Sequence, residues 1–103
     1  MITVTAAILY NDDRVLIGRR KAGLRHAGKW EFPGGKLNRG ETPQSCLKRE
    51  LKEEFNIRVK VGDAFADNVF SYRRGPVHLT AFWVHWIDGE MRATDHDRIA
   101  WVL

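Results

Sequence analysis

The sequence has 103 residues, a hydrophobic fraction of 44% and a formal net charge of +4 at pH 7. This length suits a single domain, residues 1–103, and the composition is that of a folded globular protein rather than a disordered chain. No apolar run approaches the about 18 residues of a membrane span, and the N-terminal residues lack a signal-peptide pattern. The excess positive charge suits an anionic partner and equally suits solubility alone.

Two strand-like segments flank a turn at the start of the chain. Residues 2–10, ITVTAAILY, alternate and then become apolar on both faces, which predicts a strand entering the centre of a sheet. Residues 11–13, NDD, predict a turn, and residues 14–20, RVLIGRR, predict the returning strand of a hairpin. The glycines and charges of residues 21–29 predict a loop.

Residues 43–55 carry the strongest helix signal in the chain. Thr42 is a favourable N-cap, Pro43 fits the first helical position, and Asn56 follows where a left-handed residue ends many helices. The apolar residues of this segment recur at helical spacing, namely Leu47, Leu51 and Phe55. Cys46, the single cysteine of the chain, fits a small buried side chain and a reducing, cytoplasmic setting.

The rest of the chain is a series of strand-like runs, at residues 57–61, 64–72, 77–87 and 98–103. Five or six strands with one helix predict an α/β (α+β) fold with a mixed sheet that is covered on one face only. Since so apolar a sheet usually needs cover on both faces, we expect a second, C-terminal helix beyond residue 103.

Three carboxylates share one edge of the predicted helix. Glu50, Glu53 and Glu54 lie within about 100° of one another and repel unless a cation binds them. Hard divalent cations take several oxygen ligands and bridge to phosphates. Arg49 precedes Glu53 by four residues and could hold its carboxylate. A solvated charged face is the alternative interpretation of such spacing.

The segment before the helix strengthens the case for a ligand site. The loop FPGGK supplies flexible backbone that can approach a ligand closely, and Glu41 stands at its end. Asp95, in the later loop RATDHDR, could reach the same cations from another side. Asp97 is its rival, and a plain surface loop remains an alternative for both.

These residues together resemble the Nudix box, G-x5-E-x7-R-E-U-x-E-E-x-G-U, where U is aliphatic. The match runs from Gly35 through Glu41 and Arg49 to Ile57, and Asn56 alone departs from it, at the second defined glycine. The segments RRKAGLRHAGKWEFPGGKL and VHLTAFWV are similar to those of MutT-like members, so the resemblance covers almost the whole chain. The resemblance implies a Nudix-type α/β/α sandwich with a mixed sheet, whose second, C-terminal helix has no counterpart in these residues.

The resemblance implies a hydrolase of phosphoanhydride bonds that uses Mg²⁺ or Mn²⁺. In the MutT-like subgroup, water converts a nucleoside triphosphate to the monophosphate and pyrophosphate. By position, the metal ligands would be Gly34 through its carbonyl oxygen, Glu50, Glu53, Glu54 and Asp95. Glu50 or Glu53 would also act on the attacking water, Arg49 would orient a carboxylate, and Gly35 and Glu41 would shape the loop against the helix.

The resemblance also implies a nucleotide pocket, made of Arg20, Arg25, Glu31, Phe32, Pro33 and Gly34. Arg19 and Arg20 could equally form a solvated strand end. Five aromatic residues on alternating strand positions could stack on a base and fit core positions better: Phe70, Tyr72, Phe82, Trp83 and Trp86. The histidines at 78, 85 and 96 show no spacing typical of metal ligands, which favours core or surface positions.

The predicted partner is a nucleotide, with oxidised guanine nucleotides (8-oxo-dGTP) or CTP and other pyrimidine triphosphates as candidate substrates. Such an enzyme, a monomer or homodimer without stable nucleic-acid complex, would cleanse the nucleotide pool for DNA repair. Another nucleoside diphosphate conjugate as substrate, or a catalytically silent nucleotide sensor, remains an alternative. An RNA-binding domain would require its basic residues on one face, whereas here they are scattered.

Overall fold

The computed structural model describes residues 1–103 and contains one helix and seven strands. In chain order the elements are β1 (Ile2–Asn11), β2 (Arg14–Arg20), β3 (Trp30–Glu31), β4 (Gly34–Lys36), α1 (Pro43–Phe55), β5 (Arg58–Tyr72), β6 (Gly75–Asp88) and β7 (His96–Val102). The mixed sheet with one helix confirms the predicted fold class. The helix is not long and apolar enough to cross a membrane.

The sheet branches at β1. Its central order is β3-β2-β1-β6-β5, while β4 pairs with β1 and β7 pairs with β2. β1 runs parallel to β6, from Ile2 opposite Val77 to Leu9 opposite Val84, and every other pairing is antiparallel. Only the end of β1 meets β2, in the predicted hairpin, because β4 occupies the same edge of β1 nearer its start. This branch places the loop around Gly34 beside the helix.

Helix α1 covers one face of the sheet and its apolar stripe enters the core. The ten buried residues of this core are Ala7, Leu9, Leu16, Leu47, Leu51, Phe55, Ile57, Val59, Phe82 and Val84. Cys46 is also buried, as predicted. The helix has the predicted bounds, and Asn56 closes it with φ of 58° and ψ of 34°, the left-handed conformation expected there.

The opposite face of the sheet has no helix over it. Trp83 pairs with Ile8 on this face and contacts Phe65 edge to face, at 4.9 Å between ring centroids. Of the five strand aromatics predicted for the core, only Phe82 is buried, and the other four are exposed, namely Phe70, Tyr72, Trp83 and Trp86. That prediction was wrong for those four because alternation alone does not say which faces of a sheet are covered.

Two further differences separate the structure from the sequence prediction. β3 and β4, with two and three residues, were not predicted because such short segments hold no period. The runs predicted at 57–61 and 64–72 form one strand, β5, whose pairing with β6 shifts register between Val61 and Ala66. A bulge of this kind bends a strand without ending it.

Candidate active site

Gly34 and Gly35 bring the backbone of β4 against both the sheet and the helix. A Cβ atom at Gly34, whose φ is 142°, would lie 2.1 Å from the carbonyl oxygen of Thr5. A Cβ atom at Gly35 would lie 2.7 Å from the carboxyl group of Glu50. The absence of side chains at these positions therefore allows the helix carboxylate to lie directly on the loop.

Arg49 joins the loop to the helix through one guanidinium group. It contacts Glu41 with two nitrogen atoms, at 2.7 and 3.0 Å, and donates to the carbonyl oxygen of Lys36 at 3.3 Å. A third nitrogen donates to Glu50 at 2.8 Å and to Glu53 at 3.2 Å. The predicted contact between Arg49 and Glu53 is confirmed, and Arg49 contacts Glu41 and Glu50 as well.

Glu41 braces the loop as its position in the motif implied. Its Oε1 accepts a hydrogen bond from the backbone N–H of Asn38 at 2.7 Å. The Arg49 guanidinium, and then this backbone hydrogen bond, hold the pKa of Glu41 below its ordinary value. A bidentate guanidinium–carboxylate pair of this kind has a fixed geometry, so it sets the distance between loop and helix.

Glu54 is the buried acid of the site, with 7% of the residue exposed. Its Oε2 atom is buried without a hydrogen-bond partner. Burial raises the pKa of Glu54 to about 9, and hydrogen bonding to Glu50 and the charges of Glu50, Asp95 and Glu31 act in the same direction. Three further acidic residues, from three parts of the chain, therefore act on Glu54.

The predicted metal ligands on the helix differ in exposure. The side chain of Glu50 is 14% exposed, whereas that of Glu53 is 60% exposed and lies against Arg49. No three His, Cys, Asp or Glu side chains converge closely enough to form a metal-binding group. The buried, unpartnered oxygen of Glu54 and the elevated pKa fit a cation site, because a cation would satisfy both the oxygen and the charge.

The loop before β7 distinguishes Asp95 from its rival Asp97. Asp97 accepts two hydrogen bonds from the Arg19 guanidinium, at 2.7 and 2.9 Å. Both of its carboxylate oxygens are therefore paired with Arg19. Asp95 instead acts on the charge of Glu54. Thr94, which the sequence analysis missed, fixes this loop: its backbone N–H donates to the carbonyl oxygen of Glu54 at 2.9 Å, and its hydroxyl to that of Glu53 at 3.2 Å.

The predicted nucleotide-pocket residues differ in their contacts and in their exposure. Arg20 lies 3.6 Å from Glu31 and donates from Nε to the carbonyl oxygen of Arg25 at 3.2 Å. Pro33 is buried, and its carbonyl oxygen accepts a hydrogen bond from the backbone N–H of Ala7. This bond attaches the loop to β1. Phe32, the preceding residue, is 44% exposed. The side chain of Arg25 is exposed and forms no hydrogen bond, so the structure joins this residue to Arg20 through its backbone only.

His96 is a second residue that the sequence analysis did not place in the site. It is buried, and its Nε2 atom lies 2.9 Å from Glu31 Oε1. His96 and Glu31 are separated by 65 positions, and a lone histidine at the start of a strand gives no sequence signal for such a pair.

Comparisons with known proteins agree with this arrangement. The NUDIX domain profile matches residues 1–102. The chain is 37% identical over 101 residues to the CTP pyrophosphohydrolase of Escherichia coli (strain K12), covering 98% of this chain and 75% of that one. It is 42% identical over 85 residues to the 8-oxo-dGTP diphosphatase of the same strain, covering 81% and 64%.

A solved structure shares the fold as well. The crystal structure of the MutT protein from Methanosarcina mazei Go1 superposes with a TM-score of 0.85 at 28% identity, covering 98% of this chain and 75% of that one. The matched profile spans the loop, the acidic helix and the strand after it. The chain therefore belongs to the NUDIX domain family, as its sequence predicted, and is a hydrolase of phosphoanhydride bonds.

Proposed function

We propose that this chain is a Mg²⁺-dependent nucleoside triphosphate pyrophosphohydrolase that releases a nucleoside monophosphate and pyrophosphate. One observation carries the proposal: the buried oxygen of Glu54 has no protein hydrogen-bond partner, and its neighbour Glu50 lies against the glycine loop at Gly35. An isolated buried carboxylate is costly, and a divalent cation offsets that cost. A bound cation would in turn attract an anionic substrate, and a polyphosphate is suited to bridge to it.

Five residues would hold Mg²⁺, or Mn²⁺ in its place. They are Glu50, Glu53, Glu54, Asp95 and the carbonyl oxygen of Gly34. A bound cation supplies charge neutralisation for the phosphates and lowers the pKa of a bound water. Arg49 keeps Glu50 on the loop side of the helix, and Thr94 holds the Asp95 loop against the helix end.

Glu53 is the better placed of the two candidate bases. Its carboxylate is mostly exposed, so it can pass a proton to solvent, whereas Glu50 is fixed between Arg49 and Glu54. In the reaction, the water oxygen would bond to one of the two phosphorus atoms that flank the oxygen bridging the α- and β-phosphoryl groups. Glu53 would take the water proton, and the bond from that phosphorus to the bridging oxygen would break. Pyrophosphate and the monophosphate then leave.

Arg20, Glu31 and Phe32 are the proposed nucleotide contacts, and Glu31 links them to the acids because its charge acts on Glu54. Arg20 offers charge to a phosphate, Glu31 accepts hydrogen bonds from a base or sugar, and Phe32 offers a stacking surface. The relatives named for CTP and for 8-oxo-dGTP support a pyrimidine or oxidised purine triphosphate as substrate. We propose a role in cleansing the cytoplasmic nucleotide pool.

The proposal is tested by turnover of a panel of nucleoside triphosphates and diphosphate conjugates with Mg²⁺, scored separately for pyrophosphate and phosphate. We expect pyrophosphate from CTP, 8-oxo-dGTP or both, and its loss in EDTA. Glu54→Gln and Glu53→Gln should each lower kcat by at least about 100-fold, the range typical of lost acid–base or electrostatic groups.

Glu90→Gln is the matched control, because Glu90 is exposed and its side chain forms no hydrogen bond or ion pair. It should retain wild-type turnover. Release of phosphate alone, or near-normal turnover in both Glu53→Gln and Glu54→Gln, would contradict the proposed site.

A further inference from the structure

His96 is a buried imidazole with one polar contact. Its side chain is 1% exposed, and Nε2 donates to Glu31 Oε1 at 2.9 Å, since a carboxylate accepts. The other ring nitrogen, Nδ1, is buried and has no partner. The hydrogen bond to Glu31 is thus the single interaction that orients the polar edge of this ring.

The ring reaches Glu31 by lying across β2. Gly18 pairs with Glu31 of β3 on one side and with Ile99 of β7 on the other. A Cβ atom at Gly18 would lie 2.7 Å from Cδ2 of His96, so the absence of a side chain there opens the path. On its other side the ring stacks on Phe55, at 5.2 Å between centroids and 15° between planes. Packing from two sides fixes the ring.

The Glu31 oxygen that accepts the hydrogen bond from His96 also lies near Arg20. Glu31 Oε1 lies 3.6 Å from an Arg20 guanidinium nitrogen, while Arg20 Nε donates to the Arg25 carbonyl oxygen. Two anchors therefore set the direction of the Arg20 side chain, which is 22% exposed. The sequence of contacts runs from the helix end at Phe55, through His96 and Glu31, to Arg20.

We propose that His96 is a positioning residue for nucleotide binding: it fixes the Glu31 carboxylate, which in turn aims the Arg20 guanidinium at the substrate. The proposal rests on the proposed function, because Arg20 and Glu31 are its nucleotide contacts. The His96 ring contacts Glu31 and Phe55 and forms no hydrogen bond with a proposed metal ligand. Its loss should weaken nucleotide binding and leave the hydrolytic step nearly intact.

The test compares His96→Leu with His96→Gln. Leucine keeps the apolar packing and removes the donor, so the KM for CTP should rise about tenfold while kcat changes much less. Glutamine extends its amide nitrogen about as far as the imidazole Nε2 and should recover most of the KM. His85→Leu is the control, since His85 is exposed and contacts Tyr10 elsewhere on the sheet.

An unchanged KM in His96→Leu would overturn the proposal. So would an equal rise in KM in both His96 variants, because that pattern indicates packing rather than the hydrogen bond. A fall in kcat at constant KM would place His96 in the chemical step instead and would also overturn it.

A second readout separates this inference from the proposed function. In ¹⁵N-labelled protein with EDTA, the Arg20 Nε–H resonance should shift in His96→Leu and return toward its wild-type position in His96→Gln. This spectrum needs no turnover, so it tests the positioning even if the wild-type protein hydrolyses none of the panel. An Arg20 resonance that does not respond to His96→Leu would refute the coupling.

Discussion

Gly34 and Gly35 are adjacent in β4, yet a side chain added at each position would clash with different atoms. At Gly34 a Cβ atom would meet the backbone of Thr5, and φ of 142° is unfavourable for any L-residue with a side chain. At Gly35 the obstacle is the end of the Glu50 side chain, which can move. Backbone cannot yield without disturbing the sheet, whereas a carboxyl group can rotate away at small cost to the fold.

Alanine at Gly34 should therefore mainly lower stability, whereas alanine at Gly35 should mainly lower activity. Gly34→Ala should lower the free energy of unfolding by about 2 kcal/mol or more, from backbone strain and the clash with Thr5. Gly35→Ala should change that free energy much less, yet lower kcat and weaken Mg²⁺ binding by displacing Glu50. Urea unfolding and turnover measured on both variants check this, and a Gly35→Ala enzyme with wild-type kcat would contradict it.

Helix α1 shows why some elements are readable from sequence and others are not. Its ends depend on neighbours within four residues: Thr42 accepts from the N–H of Ser45 at 3.1 Å, and Asn56 adopts the left-handed conformation. Such local signals predicted residues 43–55 correctly. The contacts of Thr94 and His96 with α1 and β3 depend on the fold of distant segments, which no local pattern contains.

The C-terminal cap of α1 contributes a contact that the motif's glycine would lack. The Asn56 side-chain nitrogen donates to the carbonyl oxygen of Glu90 at 3.0 Å, which ties the helix end to the loop after β6. Glycine gains left-handed freedom but loses this hydrogen bond, and each effect is worth about 1 kcal/mol. Asparagine thus replaces glycine here with little net change in stability.

Substitution of Asn56 tests that balance. Asn56→Gly should unfold within about 0.5 kcal/mol of the wild type, because the two effects oppose each other. Asn56→Ala loses the hydrogen bond and strains a positive φ, and should be less stable by about 1–2 kcal/mol. Midpoints of urea unfolding at constant m-value measure both, and equal stability of the Ala and Gly variants would show that φ is not limiting.

At the scale of the whole molecule, the sheet, the helix and the β7 loop together bury an acid. Glu54 is buried at the helix end to which the backbone N–H of Thr94 binds, and the charges of Glu50, Asp95 and Glu31 act on it. The sequence predicted the acids on the helix edge but not this burial, because depth depends on the elements packed around them. In the metal-free protein the fold therefore carries an electrostatic cost that ionisation of Glu54 increases.

That cost has a definite pH dependence. The pKa of Glu54 is about 9 in the folded protein and 4.5 as its ordinary value, so between these limits the folded state binds more protons than the unfolded state. In EDTA, the Glu54 contribution should therefore lower stability as pH rises from about 4.5 to about 9, and should be level outside that window. The midpoint of thermal unfolding at pH 5 and pH 8 measures it.

Glu54→Gln isolates the contribution, because glutamine keeps the shape of the side chain and does not ionise. The variant should lose less stability than the wild type between pH 5 and pH 8 in EDTA. The difference between the two losses is the contribution of Glu54 ionisation to the pH dependence of stability. Addition of Mg²⁺ at pH 8 should stabilise the wild type, since a cation that binds only the folded state shifts the equilibrium toward it. It should stabilise Glu54→Gln far less. If the stabilities of the two proteins depend on pH in the same way, Glu54 is not an acid whose pKa burial raises. If Mg²⁺ stabilises both equally, Glu54 is not a ligand of the cation.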